Sequence, residues 1–377
     1  MRVAHMSDTH LGYRQYNLDE REKDFYDVFE RAMDKVLEER ADLLLHSGDL
    51  FDSPTPPIKA LYVFKKALQK LDGRVKVYAI LGDHDMPKRK AMPPHRLFDL
   101  RVLGIGKLEW DEINGVLIAG ISNLRGRAVE LLKEELKKFD ALAKKYKKSI
   151  LMAHQAIKKY LPFEEAYEID EDDLPRKASY YAFGHLHSRI KVRFGEGYLA
   201  YAGSTEIVRR DEIGSCKEKG KGFYLVDLEG DEVEIHEVDL DIRPQIKVEV
   251  EEKELEKVLS YITPNQPKLP ILHVTVKGKN INRQNVIERL DSLLKEKVLI
   301  FKTYFKDLDK PEIEKIKKSA MDLKSVMKDY LKDEELASLA MDLYKLLAEG
   351  DVEGAKEVAE DYLKLKIRGS RHDFKES

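Results

Sequence analysis

The sequence has very little cysteine and no long apolar run. The first argues against a disulfide-stabilised protein and the second against a membrane-spanning one. One cysteine, Cys216, occurs in 377 residues, so no disulfide can form within one chain and a reducing compartment is expected. No apolar stretch approaches the ~20 residues that a membrane span needs. The first residues, MRVAHMSD, lack the basic-then-apolar pattern of a secretory signal. We therefore expect a cytoplasmic protein with no membrane partner.

An excess of charge of one sign is also missing. Lys and Arg number 67 and Asp and Glu number 70, which gives a net charge of -3. Such a balance gives no whole-molecule field that would attract a polyanion, so any nucleic-acid contact must come from a local basic patch. The sequence has no Gly-rich nucleotide-binding loop, and the chain is not expected to hydrolyse ATP by itself.

Apolar periodicity divides the chain into three parts. Residues 1–240 alternate short apolar runs with helical patterns, which predicts an α/β sandwich with sheets at its centre. Residues 241–305 read as a small βαβαβ unit, and residues 306–377 are wholly helical in pattern. The length of the chain is sufficient for this number of domains.

Five predicted strands are each followed at once by acidic or histidine residues. In an α/β sheet, the carboxyl ends of strands are where loops converge on a ligand. We therefore expect one cluster of carboxylate oxygens and imidazole nitrogens, a donor set that suits Mn, Fe, Zn or Mg. One such run would be uninformative, but five in order predict a metal centre. The residues are Asp8, His10, Asp49, Asp83, His84, Asp85, His154, His185 and His187.

These runs have the order D-x-H, G-D, G-[N/D]-H-[D/E], a single His and G-H-x-H, which resembles the calcineurin-like binuclear metallophosphoesterases over about residues 1–235. The stretches SDTHLGYRQYNLDEREKDFYDVF, HSGDLFD, YAFGHLHSR and YAGSTEIVRRDE are similar to the archaeal meiotic recombination eleven (SbcD-like) DNA double-strand-break repair nucleases. The resemblance implies two sheets flanked by helices over 1–240, an α/β DNA-capping domain over 241–305 and an ATPase-binding helical tail over 306–377. It also implies an archaeal cytoplasm as the location.

The resemblance further implies two divalent metal ions, Mn(II) in the first place, that share a bridging carboxylate. One ion would be held by Asp8, His10, Asp49 and His187. The other would be held by Asp49, Asp83, His154 and His185. Two such ions clamp a phosphodiester and activate a water. The implied activity is a Mn-dependent nuclease, acting as a 3′–5′ exonuclease on duplex DNA and as an endonuclease on single strands.

The tetrapeptide Gly82–Asp85 holds the expected catalytic group and a departure from the family. His84 is expected to face the scissile phosphate and donate a proton, and Asp85 to orient His84 through the other ring nitrogen. The family usually has Asn where this chain has Asp83. Three carboxylates against two divalent ions leave a formal charge of +1, where Asn would leave +2. We expect tighter metal binding and a lower intrinsic rate. Relatives often carry His in place of Asp52, whose role the sequence leaves open.

Basic residues beside the metal motifs are the expected DNA contacts. They would hold phosphates without reading bases. The alternative is that they are solvated surface charges. These candidates are Lys88, Arg89, Arg189 and Arg209, and Arg125 lies in a similar loop.

The helical tail offers apolar positions at helical spacing that a short segment cannot bury alone. The resemblance implies docking to the coiled coil of an SMC-like ATPase; the alternative is a small bundle that packs on itself. The docking residues would be Leu323, Val326, Met327, Tyr330, Leu336, Leu339, Leu343 and Leu347. Family members also form homodimers, and helices at residues 59–71 and 94–103 are candidates for that interface.

Two other functions are compatible with the motifs. The chain could be a metallophosphoesterase that acts on a small phosphodiester such as a cyclic nucleotide. It could also be a DNA-end-binding scaffold whose chemistry Asp83 has weakened. Cleavage of a chromogenic ester against DNA separates the first from a nuclease, and metal content tests the second.

Overall fold

The fold is taken from a computed structural model of the chain. It describes residues 1–87, 91–161, 167–264, 266–308, 327–328 and 330–348, and the single positions 355, 358, 359 and 362. The strands are β1 Arg2–Met6, β2 Leu43–Ser47, β3 Lys76–Ile80, β4 Arg101–Val102, β5 Glu109–Ile113, β6 Val116–Ile121, β7 Lys148–His154, β8 Tyr180–Gly184, β9 Ile190–Phe194, β10 Gly197–Tyr201, β11 Gly222–Asp227, β12 Glu234–Asp239, β13 Gln245–Glu251, β14 Ile271–Gly278 and β15 Ile300–Asp307.

The described residues contain fewer α-helices than strands. Seven α-helices are seen: α1 Asp19–Glu38, α2 Ile58–Leu71, α3 Val129–Leu136, α4 Phe139–Ala143, α5 Glu212–Lys219, α6 Arg283–Leu294 and α7 Glu334–Ala348. Short 3-10 segments lie in several of the connections from strands, and the longest covers Glu252–Tyr261.

Two six-stranded sheets form the centre of the first 240 residues. Their strand orders are β12-β11-β1-β2-β3-β4 and β5-β6-β7-β8-β10-β9. Strands β1, β2 and β3 run parallel, as do β6, β7 and β8. Parallel neighbours end at the same edge of a sheet, so the residues that follow them are brought together.

Apolar side chains on both faces of the central strands explain the layered packing. On β1, Val3 packs between the two sheets, whereas Ala4 packs toward α1 and α2. Side chains of a strand alternate between faces, so a strand covered on both faces is apolar throughout. On the outer face of the second sheet, Leu132 and Phe139 of α3 and α4 pack against Tyr181. The predicted two-sheet sandwich flanked by helices is confirmed.

One predicted helix is divided. The apolar spacing over 128–146 predicted a single helix, but the structure has α3 and α4 with Lys137 and Lys138 between them. The amide of Lys138 bonds to the carbonyl of Glu135, three residues earlier, which tightens the turn. Leu136 and Phe139 are buried on both sides of this turn, so the apolar pattern continues where the α-helix does not.

The small α/β unit consists of β13, β14 and β15 with α6 and the 3-10 segment. One group of its contacts with the larger sandwich centres on Asp24 of α1, which is buried. Arg243 donates to Asp24 at 2.5 and 3.1 Å, and Lys268 donates at 2.9 Å. Arg21 of the same helix donates at 2.8 Å. A buried carboxylate with three cationic donors is satisfied, and this network joins the two parts.

The chain forms two compact units. The first comprises Met1–Lys277 and Asn282–Phe305, and the second comprises Gly278–Ile281 and Lys306–Ser377. Residues on both sides of the predicted boundary at 240 therefore lie in one compact unit. In the second unit, Asp333 precedes α7 and its carboxylate accepts the amide hydrogens of Glu335 and Leu336, which caps the helix.

Candidate metal centre

The loops at the carboxyl ends of the parallel strands have strained, closely packed backbones. Asp8, Asp49 and His185 have φ values of 52°, 54° and 93°, in the left-handed region that non-glycine residues seldom adopt. A Cβ at Gly82 would lie 2.0 Å from the Asp49 carboxylate, so only glycine allows this approach. Backbone strain of this kind is typical of functional sites.

The seven predicted metal-binding residues converge at this edge. Their donor atoms fall into overlapping groups whose members lie within 4.8 Å of one another. The groups are Asp8, His10 and His187; Asp83, His154 and His185; Asp8, Asp49 and His154; and His10, Asp49 and His84. Asp49 is thus shared between the two halves of the cluster, with its carboxylate 3.8 Å from His10 Nε2 and 3.5 Å from His154 Nε2. This is the position that a bridging ligand requires.

The carboxylates give the site a strongly negative potential. Burial acts to lower the pKa of His10, but the nearby charges of Asp52, Asp49 and Asp8 outweigh it and raise this pKa to about 9. Burial is likewise outweighed at His154, whose pKa is raised well above its ordinary value. The potential that attracts protons to these rings also attracts a cation. A set of carboxylate oxygens and imidazole nitrogens fits divalent Mn, Fe or Zn.

Hydrogen bonds on the far side of the histidines set their orientation. His154 Nδ1 lies 2.7 Å from the carbonyl oxygen of Ser47 and His187 Nδ1 lies 2.7 Å from Glu212. A carbonyl or carboxylate can only accept, so each Nδ1 carries a hydrogen, and Nε2 is the ring nitrogen that faces the cluster and could bind an ion after losing any proton. Glu212 was not singled out from the sequence, because it follows His187 by 25 residues.

His84 lies at the mouth of the cluster, with its side chain 37% exposed. Its Nδ1 is 2.8 Å from the backbone carbonyl oxygen of Asp52, and its ring is edge-on to that of His10 at 4.9 Å. The Asp52 carboxylate lies 3.2 Å from His10 Nδ1. Asp52, whose role the sequence left open, therefore contacts both a proposed metal ligand and the proposed catalytic histidine.

The expectation that Asp85 orients His84 was wrong. The buried Asp85 carboxylate accepts the amide hydrogens of Leu50, Phe51 and Gly82 at 3.0–3.1 Å. Among the contacts of the described residues, none joins Asp85 to His84. Asp85 instead ties the turn after β3 to the loop after β2, because it accepts from backbone amides of both.

Asp83, which differs from the residue usual in the family, has its carboxylate beside two of the predicted metal-binding histidines. Its Oδ1 is 3.2 Å from both His154 Nε2 and His185 Nδ1, and its Oδ2 is 3.7 Å from Arg125 Nη1. Burial acts to raise the pKa of Asp83, but its hydrogen bonds to the two histidines outweigh burial and hold the pKa well below its ordinary value. The extra carboxylate is therefore charged, and Arg125 offsets part of its charge.

The predicted DNA contacts have different environments. Arg189 is 3% exposed, and its terminal nitrogens donate to Lys219 O, Val238 O and Asp239 at 2.9, 2.7 and 2.5 Å. It joins α5 to β12, so the expectation of a phosphate contact was wrong for Arg189. Arg209 is exposed. Lys88 and Arg89 lie outside the described residues.

The predicted docking residues of the tail are only partly described. Leu323, Val326 and the side chain of Leu347 lie outside the described part. Tyr330 is 85% and Leu336 37% exposed. Met327, Leu339 and Leu343 are half-buried.

Within the described ranges, no helix combines the length and apolarity that crossing a bilayer requires.

Comparison with known proteins defines the family. Residues 1–189 match the calcineurin-like phosphoesterase model. Three relatives are DNA double-strand break repair proteins Mre11. The protein of Methanocaldococcus jannaschii is 38% identical over 98% of this chain and 100% of its own length. That of Thermoplasma acidophilum is 37% identical over 93% and 95%, and that of Sulfurisphaera tokodaii 38% over 77% of each. The chain belongs to the calcineurin-like phosphoesterases and, among them, to the Mre11 family.

Proposed function

We propose that the protein is a metal-dependent DNA nuclease of double-strand break repair. The observation that carries this is the convergence of seven Asp and His side chains, with Asp49 shared between two groups of donors. The full-length relatives are named as double-strand break repair proteins, which favours DNA over a small phosphodiester. Cleavage would proceed 3′–5′ on duplex ends and endonucleolytically on single strands.

Two Mn(II) ions are the proposed cofactors. Asp8, His10, Asp49 and His187 would hold one, and Asp49, Asp83, His154 and His185 the other. Bound divalent ions lower the pKa of water and neutralise charge that develops on a phosphodiester. Four imidazole ligands, two for each ion, favour Mn over Ca or Mg, which prefer all-oxygen sites.

His84 is the proposed proton donor. Its Nδ1 faces the Asp52 carbonyl oxygen at 2.8 Å, so Nδ1 carries a hydrogen. In the imidazolium form, Nε2 carries a second hydrogen, which can pass to the leaving oxygen while the bond to Asp52 persists. Partial exposure of His84 leaves this nitrogen open to a substrate at the mouth of the site.

Two basic side chains are proposed to hold the phosphates of the DNA. Arg125 lies beside Asp83 at the rim of the cluster, and Arg209 is exposed on the loop before α5. Lys88 and Arg89 remain proposed contacts from the sequence. Contacts of this kind give binding that weakens with salt and depends little on base sequence.

An SMC-like ATPase and a second copy of the chain are the proposed protein partners. The exposure of Tyr330 and Leu336 supports a partner on the tail. On α2, Ile58 is 85% and Tyr62 56% exposed, and Leu97, in the second candidate segment, is 58% exposed. Apolar side chains that accumulate on one surface favour an interface. A cytoplasmic location accords with the archaeal relatives.

The proposal is tested by cleavage of end-labelled duplex and single-stranded DNA in Mn(II), Mg(II) or EDTA. Mn-dependent cleavage, lost in His84→Ala although both ions still bind, is the expected result. Cleavage of a chromogenic diester without cleavage of DNA would favour the small-substrate alternative. Two bound ions with no cleavage of either substrate, and cleavage of DNA by Asp83→Asn, would favour the weakened scaffold.

A further inference from the structure

Glu212, at the start of α5, gathers an unusual number of donors around one buried carboxylate. Oε1 accepts from His187 Nδ1 and from the amide of Arg209, both at 2.7 Å. Oε2 accepts from Lys221 Nζ at 2.5 Å, Ser204 Oγ at 3.1 Å and the amide of Val208 at 3.3 Å. The residue is 5% exposed. A buried charge is tolerated only when it is paired and hydrogen-bonded in this way.

Lys221 completes the arrangement from the other side. Its side chain is 2% exposed, and its Nζ donates to the backbone carbonyl of His187 at 2.8 Å and to Ser204 Oγ at 2.6 Å, besides Glu212. The pair therefore holds His187 at two points, the carboxylate at the ring and the ammonium at the backbone. Neither residue is itself a member of the groups of donors.

The tautomer of His187 follows from this contact. The carboxylate can only accept, so Nδ1 carries the hydrogen and Nε2 keeps its lone pair. That Nε2 lies 3.3 Å from His10 Nε2 and 3.8 Å from the Asp8 carboxylate. The other histidines of the cluster are held by different means. His154 donates to a backbone carbonyl, and His10 lies beside Asp52, whose side chain is 29% exposed.

We propose that Glu212 is a positioning residue for His187, and that Lys221 keeps Glu212 charged and in place. The carboxylate fixes the ring so that Nε2 points at the ion shared with Asp8 and His10. It also raises the basicity of Nε2. This inference rests on the proposed metal centre, and it assigns a role to two residues outside the ligand set.

The loop over 204–211 is held by the same carboxylate. The amides of Val208 and Arg209 both donate to Glu212, and the exposed side chain of Arg209 lies on this loop. One residue thus fixes both a metal ligand and a proposed phosphate contact. Loss of Glu212 would therefore weaken one ion and also loosen the loop, and a test must separate these effects.

Two matched double variants separate loss of the acceptor from loss of the ion pair, and the affinities of the two ions separate an effect at His187 from a general one. Glu212→Leu/Lys221→Met removes the ion pair and every acceptor, whereas Glu212→Gln/Lys221→Met removes the ion pair and keeps an amide oxygen for Nδ1. Both avoid an unpaired buried charge. Mn(II) binding is measured by titration calorimetry with EPR, on the full chain. We expect the Leu variant to bind one ion about 10–100-fold more weakly, the other ion to bind as in the wild type, and the Gln variant to keep most of the affinity.

Equal Mn(II) affinities in the wild type and both variants would overturn the inference. Equal losses in both variants would also overturn it, since the acceptor for Nδ1 would then make no difference. Equal losses at both ions would overturn it as well, since the effect would then not be specific to His187. If the wild type bound no Mn(II), the proposed function would fail instead. A second experiment uses only the wild-type protein. Long-range ¹H–¹⁵N correlation should find hydrogen on Nδ1 of His187 in the wild type, and hydrogen on Nε2 only would overturn the inference even if the variants do not fold.

Discussion

The ring of His84 is held by the main chain of Asp52, not by the neighbouring Asp85. The distance from Nδ1 to the Asp52 carbonyl oxygen is 2.8 Å, while the Asp52 carboxylate is 3.8 Å away. A main-chain acceptor survives substitution of the side chain. The orientation of His84 should therefore be insensitive to the chemistry of residue 52.

Substitution at Asp52 tests this. Asp52→Asn keeps the carbonyl and a similar side-chain volume, so we expect kcat for DNA cleavage to fall by less than about tenfold. His84→Ala removes the proton donor and should lower kcat by about 10²–10⁴-fold. Single-turnover rates at saturating Mn(II) compare the two. An Asp52→Asn loss as large as that of His84→Ala would contradict the main-chain account.

Removal of the charge at position 83 should have opposite effects on metal binding and on rate. Asp83→Asn keeps the oxygen that faces His154 and His185 but removes one negative charge. We expect weaker Mn(II) binding and a higher rate at saturating metal, because less charge opposes the acidity of bound water. Rates measured across a Mn(II) titration give both quantities. Tighter binding in Asp83→Asn would contradict this account.

Arg189 and Arg209, two of the arginines predicted from sequence to meet DNA, should respond differently to truncation. Arg209→Ala should weaken DNA binding and reduce the slope of log K against log salt by about 1. Arg189→Ala should leave that slope unchanged and lower stability, because it leaves buried acceptors of α5 and β12 unpaired. Binding at several salt concentrations, together with urea unfolding, distinguishes them. A reduced slope in Arg189→Ala would contradict this account, because it would mean that the Arg189 side chain contacts DNA.

Stability should fall in acid because His5 is buried as the neutral form. Burial lowers its pKa from 6.5 to about 3. The unfolded chain takes up the proton first, so this stabilisation is complete above about pH 6.5 and is lost as the pH falls toward 3. One such histidine lowers the free energy of unfolding by about 2 kcal/mol between pH 7 and pH 5.

Urea unfolding of the metal-free protein at the two pH values measures this. His5→Gln keeps a polar partner for the Tyr180 hydroxyl, which lies 2.7 Å from His5 Nδ1, and it cannot take up a proton. Between pH 7 and pH 5, the free energy of unfolding of His5→Gln should fall by about 2 kcal/mol less than that of the wild type. An identical loss would mean that His5 does not contribute.

Strand ends made the metal cluster predictable. Apolar runs located β1, β2, β3, β7 and β8, and parallel strands bring the residues that follow them to one edge. Asp8, Asp49 and His154 could therefore be placed together without any knowledge of distances. The same logic identified His84 as a neighbour of the cluster.

Contacts made at long sequence separation could not be predicted in this way. Arg189 follows the last metal motif, which suggested a phosphate contact, but its partners Lys219 and Asp239 come from elements 30 and 50 residues further on. Asp85 adjoins His84 in sequence, but the turn directs its carboxylate to the loop after β2. Burial of polar groups decides both cases, and burial depends on the assembled fold.

The two edge strands of the second sheet, β5 and β9, were not predicted from the sequence, although one had a clear signal. In β9, Ile190, Val192 and Phe194 alternate with Lys191 and Arg193, which is the period of a half-buried strand. In β5 the alternation is weak, because acidic residues surround the exposed Trp110. The strand is formed by its antiparallel pairing with β6, which its own sequence pattern does not predict.

The number of Mn(II) ions bound per chain tests the central claim most directly. Titration calorimetry of the full chain, with EPR to detect two ions in contact, makes the count, and Asp49→Ala serves as the comparison because Asp49 lies between the two groups of donors. The account predicts two ions per chain with a coupled EPR signal in the wild type, and loss of the coupling in Asp49→Ala. One isolated ion, or none, in the wild type would contradict it.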